Sequence, residues 1–233
     1  MWNGCASLRL MLYFWGSGAL FVVRSLIIVG AGGHGKVVAD VAQSLRCYEA
    51  ISFIDGRYPA LTAHFGLDVV GSDESISRLI SYEAEFVVAI GDNLIRRRLF
   101  SRLAEENARF ATIIAPSATI SPSASVGSGS VVFPKAVVRT GSVIGENVIL
   151  NTGCKLDPSV YIGHHSHVGP GASVGAGALV EDEVLVGAGA RLSSGISVGR
   201  RSICGAGVYL ESNLPAGWCG VGRENLRLYK IES

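Results

Sequence analysis

Three histidines fall within four residues, His164, His165 and His167, and the residues 18 positions to either side give them company that could do acid–base work. At that spacing His164 stands in a column with Glu146, Asp182 and Arg200, and His165 with Asn147, Glu183 and Arg201. An imidazole between two carboxylates is the arrangement of a general base, able to take a proton from an attacking amine or hydroxyl. The same columns also describe a ladder of alternating charge that only steadies stacked turns of chain. A metal site is not expected. The three histidines share one turn, and the positions 18 residues before and after His167 are Ile149 and Leu185, which bind no metal.

A second chemistry is written near the start. Residues 25–30 (SLIIVG) form a buried-strand pattern, followed by Gly30-Ala31-Gly32-Gly33-His34-Gly35 and a helical stripe at Val37, Val38, Val41, Ala42 and Leu45. Glycines let the backbone turn tightly and approach a phosphate, and the N–H groups at the following helix start attract it. A further strand at 50–54 ends on Asp55, an acid placed to accept hydrogen bonds from a ribose or base. Apolar spacing through Ile76, Leu79 and Ile80 continues the α/β pattern. A strand at 86–90 then leads to Gly91-Asp92-Asn93 and a helix carrying Arg96, Arg97 and Arg98. These arginines either meet a diphosphate or form a solvated face. The last strand is expected at 110–114. About 90 residues make only half of a full dinucleotide fold, which favours a single nucleotide as ligand.

What positions the histidines is a repeat. From Ile114 to Leu210 an aliphatic or similar residue returns at every sixth position, seventeen times without an insertion, and a second, mostly small column follows four residues behind it. A six-residue period reads as a parallel β-helix, three short strands to an 18-residue coil and nearly six coils in all. Both columns point into a narrow bore. On the face containing His167 the outward column is Val131, Ile149, His167, Leu185 and Ile203, and the adjoining face shows Val143, Tyr161 and Leu179. Outward aliphatics want cover. The expectation is a trimer packed through these faces with His167 at the subunit seam. The third outward column, Thr119, Val137, Lys155, Ser173, Arg191 and Tyr209, is more polar.

Composition sets the remaining bounds. The chain has 233 residues, is 48% hydrophobic and carries a net charge of +1, which gives no reason to expect nucleic acid. Its five cysteines form no CxxC pair, and Cys154 and Cys204 occupy inward columns, consistent with a reducing cytoplasm. The apolar run at positions 8–23 is shorter than the roughly 20 residues of a spanning helix and shows no cleavage signature. Residues 1–23 are therefore expected to be a poorly packed, non-native or mis-assigned leader and not a membrane anchor. The domains expected are an α/β unit over 24–113, a β-helix over 114–222 and a tail over 223–233.

A small α/β domain bearing Gly-x-Gly-Gly-His-Gly, then "VVAIGDNLIRRR", then "ATIIAPSATIS" running into hexads resembles a known family over residues 23–222. It is that of the hexapeptide-repeat nucleotide-sugar acyltransferases, of the sialic-acid O-acetyltransferase and bacillosamine or perosamine N-acetyltransferase type. The resemblance implies a left-handed parallel β-helix, a homotrimer, acetyl-CoA as co-substrate and a nucleotide sugar as acceptor for surface polysaccharide synthesis. It implies that Gly32, Gly33, His34 and Asp55 hold the nucleotide sugar and that acetyl-CoA touches His167, Ala188 and Ala206. The family's proton acceptor lies in the segment that here reads Asn151-Thr152-Gly153-Cys154-Lys155-Leu156-Asp157-Pro158, and its place is taken by Pro158. His164 and His167 are left as candidate catalytic residues. The tail departs as well, with Val221-Gly222-Arg223-Glu224-Asn225 where the family runs Val-Gly-x-Pro-Ala. Two functions are open: N- or O-acetyl transfer to a nucleotide-linked sugar, or a nucleotide-sugar-binding homologue impaired in catalysis.

Overall fold

The hexads close into a prism. In the computed structural model, which describes residues 24–81, 84–222 and 227–231, seventeen two-residue strands run from Ile113–Ile114 to Tyr209–Leu210. The leader and positions 223–226 of the tail lie outside the described residues. Each prism strand pairs in parallel with the strand 18 residues on, as in Val131↔Ile149 and Ile149↔His167, so three sheets form the three faces. The fold is a left-handed parallel β-helix. Its bore is filled by one continuous apolar cluster that takes in Val132, Leu150, Cys154, Val168 and Cys204. The serines of the small column also fit there. Ser130 Oγ donates to the Gly145 carbonyl and accepts from Val148 N–H, so no buried hydroxyl is wasted.

Ahead of the prism lies a four-stranded parallel sheet. Its elements are β1 (Ser25–Val29), α1 (Gly33–Leu45), β2 (Ala50–Ile54), a short hairpin β3 (Ala63–His64) and β4 (Leu67–Asp68), α2 (Ile76–Ser81), β5 (Glu85–Val88), α3 (Asn93–Glu105) and β6 (Arg109–Phe110). The sheet order is β2-β1-β5-β6. The order reverses between β1 and β5, the place in such sheets where a crevice opens for ligands. The strand expected at 110–114 is two strands. Ala111 N–H still donates to Phe86 in the sheet, while Ile113 N–H already donates to Ser130 in the prism, so the hydrogen-bond partner changes within two residues.

On the His167 face, the expectation of trimer packing is corrected at its first coils, where Val131 and Ile149 are already buried within the chain. Ile113, Val131, Phe133 and Ile149 are buried, and they share one cluster with Val38, Val41 and Ala42 of α1. The chain's own α/β domain covers the first coils of this face, while Leu185 and Ile203 farther along it are only partly buried. Val143, Tyr161 and Leu179 on the adjoining face remain 45%, 37% and 38% exposed.

Corners of the prism require a left-handed residue, and they find it in two ways. After Lys135, one corner uses Gly153, Gly171, Gly189 and Gly207. The corner beside α3 uses Asn147, His165, Glu183 and Arg201, with φ of 54°, 59°, 61° and 59°.

Candidate functional site

The glycine loop sits at the strand-order reversal, and its glycines divide by role. A Cβ on Gly30 would stand 2.6 Å from Ile90 Cδ1, and one on Gly35 would fall on the Gly30 carbonyl oxygen, so both are needed for close packing. Gly32 and Gly33 are exposed, with open space where a Cβ would go. Gly32 caps α1 without a side-chain hydrogen bond, and no acid occupies the first turn. The helix start therefore presents N–H groups and the positive end of its dipole to the crevice.

Asp55 anchors this loop. Its Oδ2 accepts from Ala31 N–H at 2.8 Å and its Oδ1 from Arg57 N–H and Nε at 3.0 and 2.7 Å, while Arg57 Nη2 donates to the Ala31 carbonyl at 2.7 Å. The hydrogen bond from the Arg57 side chain, helped by the two backbone N–H groups and outweighing partial burial, holds this carboxyl far below the usual range. With its oxygens engaged in this way, Asp55 shapes the loop, and the group beside it that remains 60% exposed is the Arg57 side chain. Arg57 was not singled out from the sequence.

On the far side of the loop the two domains meet through histidines. The His34 ring stands edge-on to Phe133 at 5.5 Å and 6.5 Å from the ring of His167. Its Nε2 is buried with no hydrogen-bond partner among the described residues. His167 Nε2 lies 3.3 Å from the Asn151 amide, and its ring also meets the Gly91 backbone. Burial, reinforced by the nearby charge of Arg96, pushes each ring down to about 4, so both are neutral at physiological pH. Ala188 and Ala206 are exposed one coil apart on the corner that follows the His167 sheet.

The arrangement expected around His164 is not present. Its Nδ1 accepts from Glu146 N–H at 3.1 Å and lies 3.8 Å from the Glu146 carboxylate, but Asp182 Oδ1 accepts from the backbone N–H of His164 and not from its ring. An imidazole between two carboxylates would need both acids to point along the column, and the corner turns Asp182 toward the main chain. In the next column Glu183 is a buried hub bound by Arg97, Arg200 and Arg201. Burial alone would raise its pKa, but the three guanidiniums outweigh it and hold it down to about 2. His165 Nδ1 meets the Asn147 amide at 2.9 Å, and the ring packs edge-on against Phe100 at 5.5 Å. Pro158 lies on the corner between the other two faces, its carbonyl accepting from Gly177 N–H, so its side chain brings no proton acceptor there.

The three consecutive arginines of α3 do not share one fate, and only Arg98 is exposed. Arg96 is fully buried, Arg97 reaches Glu183, and Arg98 lines a groove of about 600 Å³ with Arg102 and Arg201. Among the described residues no helix is long and apolar enough to cross a membrane.

A β-helix carrying a half-dinucleotide domain, with an open helix start beside a prism histidine, defines a class whose crevice is shaped to suit a phosphate-bearing ligand. Comparison with known proteins narrows it. Residues 25–103 match the family model described as the PglD N-terminal domain. The acetyltransferase domain of PglB from Neisseria gonorrhoeae FA1090, solved with acetyl coenzyme A, is 35% identical with a TM-score of 0.84, covering 88% of this chain and 98% of that one. A point mutant of perosamine N-acetyltransferase from Caulobacter crescentus, in complex with CoA and GDP-perosamine, is 30% identical with a TM-score of 0.82, covering 91% and 99%. The chain belongs to the hexapeptide-repeat nucleotide-sugar acetyltransferases of the sialic-acid O-acetyltransferase and bacillosamine or perosamine N-acetyltransferase family. UDP-N-acetylbacillosamine N-acetyltransferase of Bacillus subtilis (strain 168) is 30% identical over 113 residues, 47% of this chain and 51% of that protein. The chain thus spans about half the length of the curated relative it matches.

Proposed function

We propose that this protein moves an acetyl group from acetyl-CoA to an amino or hydroxyl group of a nucleotide-linked sugar, as a cytoplasmic step in surface polysaccharide synthesis. The observation that carries the reading is the junction itself. An open glycine loop, through His34, lies one ring away from His167 on the prism, and the two solved relatives named above are acetyltransferases in complex with acetyl-CoA, or with CoA and a nucleotide sugar.

In this reading the N–H groups at Gly32 and Gly33 and the Arg57 side chain take the diphosphate, with His34 beside them and Asp55 holding the loop in shape. Acetyl-CoA lies along His167, Ala188 and Ala206. The acceptor's lone pair attacks the thioester carbonyl carbon; the new C–N or C–O bond forms, the C–S bond breaks and CoA leaves as the thiol. A base takes the acceptor's proton and passes it to the departing sulfur, and an N–H donor steadies the oxyanion. His167, neutral and at the junction, is better placed for that base than His164, whose ring is held on an outer corner. A homotrimer is proposed through the face of Val143, Tyr161 and Leu179.

One observation favours a second reading. Pro158 leaves the family's proton acceptor absent, as expected of a homologue that binds nucleotide sugars without turning them over. Mixing the protein with acetyl-CoA and a panel of UDP- and GDP-amino-sugars while following free thiol separates the two. Thiol release that depends on the sugar supports the enzyme, and binding without release supports the second reading. Gly33→Val fills open space at the crevice mouth, so calorimetric affinity for the nucleotide sugar should collapse with unfolding unchanged. Equal binding would make the loop only a turn. His167→Ala should lose rate by ~10²–10⁴ if it is the base, and Pro158→His should raise turnover.

A further inference from the structure

The least expected side chain in the molecule is Arg96. It is fully buried, yet among the described residues it forms an ion pair with no carboxylate; the nearest acid that acts on it, Asp92, is occupied in capping α3 through Ile95 N–H. Its guanidinium is satisfied by dipoles instead. Nε donates to the Asn147 carbonyl at 3.1 Å, Nη1 to the carbonyls of Ile90 and Gly91 at 3.1 and 3.2 Å, and Nη2 to Asn93 Oδ1 at 2.8 Å and to the carbonyls of His165 and Ser166 at 2.6 and 3.3 Å.

These six acceptors come from three places that must keep register: the loop at the end of β5, the first turn of α3, and two stacked coils of the prism. One residue after Ser166 stands His167, whose ring also meets the Gly91 backbone. Because the Asn151 amide nitrogen donates, His167 Nε2 is the acceptor and the ring proton sits on Nδ1. Arg96 therefore grips both the backbone that leads into His167 and the loop its ring touches.

We propose that Arg96 is a positioning residue for the transfer step: it fixes the crevice of the α/β domain against the prism so that His167 faces the ligand held at the glycine loop. This rests on the acetyl-transfer reading above. A planar fork with five N–H donors can span acceptors on three sides, which an ammonium with three cannot. The same guanidinium is the charge felt by both rings. No carboxylate shifts either one; Arg96 acts on His34 and His167, and His34 acts further on His167.

The test uses the full chain with Arg96→Lys and Arg96→Gln, read in two ways. For acetyl transfer, kcat should fall about 100-fold in Arg96→Gln, the cost of a misplacement near 1 Å, with KM for the nucleotide sugar little changed and only partial rescue by lysine. Independently of turnover, the imidazole signals of His34 and His167 in histidine-labelled protein should titrate at higher pH in Arg96→Gln than in wild type, while Arg96→Lys keeps them low. Unchanged kcat together with unchanged titration overturns the proposal, as does a loss of kcat restored fully by lysine. If both variants fail to fold, Asn93→Ala removes one of the six acceptors, and unchanged kcat and ring signals there count against it. A wild type that transfers no acetyl group sinks the enzymatic reading, while the ring titrations still judge what Arg96 does.

Discussion

Two faces of the prism carry the same kind of outward residue and have opposite fates. Val131 and Ile149 are 1% exposed beneath α1, whereas Val143, Tyr161 and Leu179 on the next face stand open. Both columns satisfy the rule that aliphatics seek cover. The rule says nothing about whose surface provides it. The difference teaches that a covered column makes a domain junction and, with it, the crevice proposed for transfer, while an uncovered one is free to serve the interface proposed between chains.

The sharpest way to break this distinction is Ile149→Asp. A carboxylate forced into a site that is 1% exposed should cost on the order of 4 kcal/mol. Calorimetry should then show the α/β unit melting before the prism, with loss of nucleotide-sugar affinity; a single unshifted transition would mean that the domains do not depend on this face. Tyr161→Asp with Leu179→Asp should act the other way round. Sedimentation should report monomers while each chain unfolds nearly as before, and an intact trimer would remove the open face as the interface.

Acid should separate the two sides less dramatically. The docked face and its corner hold three partly buried rings, His34, His165 and His167, lowered to about 4 from 6.5, chiefly by desolvation. Between pH 6.5 and 4 the unfolded chain takes up protons that the folded rings refuse, so stability falls as pH falls through that window. Glu183, held at about 2 against an ordinary 4.5, adds a second loss as pH drops from 4.5 toward 2. Urea titrations at stepped pH should show His165→Gln softening the first loss only and Glu183→Gln reducing the second, to which Asp55 with its lowered carboxyl also contributes, at a cost to stability near neutrality. The smallest effect belongs to His164→Ala. With its side chain 44% exposed, the change should leave stability within about 0.5 kcal/mol and transfer rate nearly unaltered; a large rate loss would restore His164 as the base.

Much of this was legible in the sequence because the hexads allow only one register. Every inward position from Val132 to Leu210 follows from counting, and the glycine loop follows from its place between a strand and a helix. The fate of the His167 face was not legible, since periodicity shows which side chains point outward and not what lies on them. The engagement of Asp55 by Arg57 and Ala31 was not legible either, because a strand-end acid looks the same in sequence whether its oxygens are free or bonded within the chain. Arg96 did leave a signal that went unused. It lies four residues before Phe100 and seven before Leu103, on the buried stripe of α3, so helical spacing already set it apart from Arg97 and Arg98.

The corner of Asn147, His165 and Glu183 carries one more implication, concerning growth. Left-handed backbone without glycine is disfavoured by roughly 1–2 kcal/mol per residue, and here three of the corner's four such residues bond or pack against α3: Asn147 and His165 at Arg96, His165 again at Phe100, Glu183 at Arg97. Those coils are consequently indexed to the helix like teeth to a ratchet. Inserting or deleting an 18-residue coil among them would slide the whole ladder by about 4.8 Å and part the two halves of the crevice. Beyond Arg201 no such indexing holds, so an architecture otherwise built for repetition can be lengthened only from its far end.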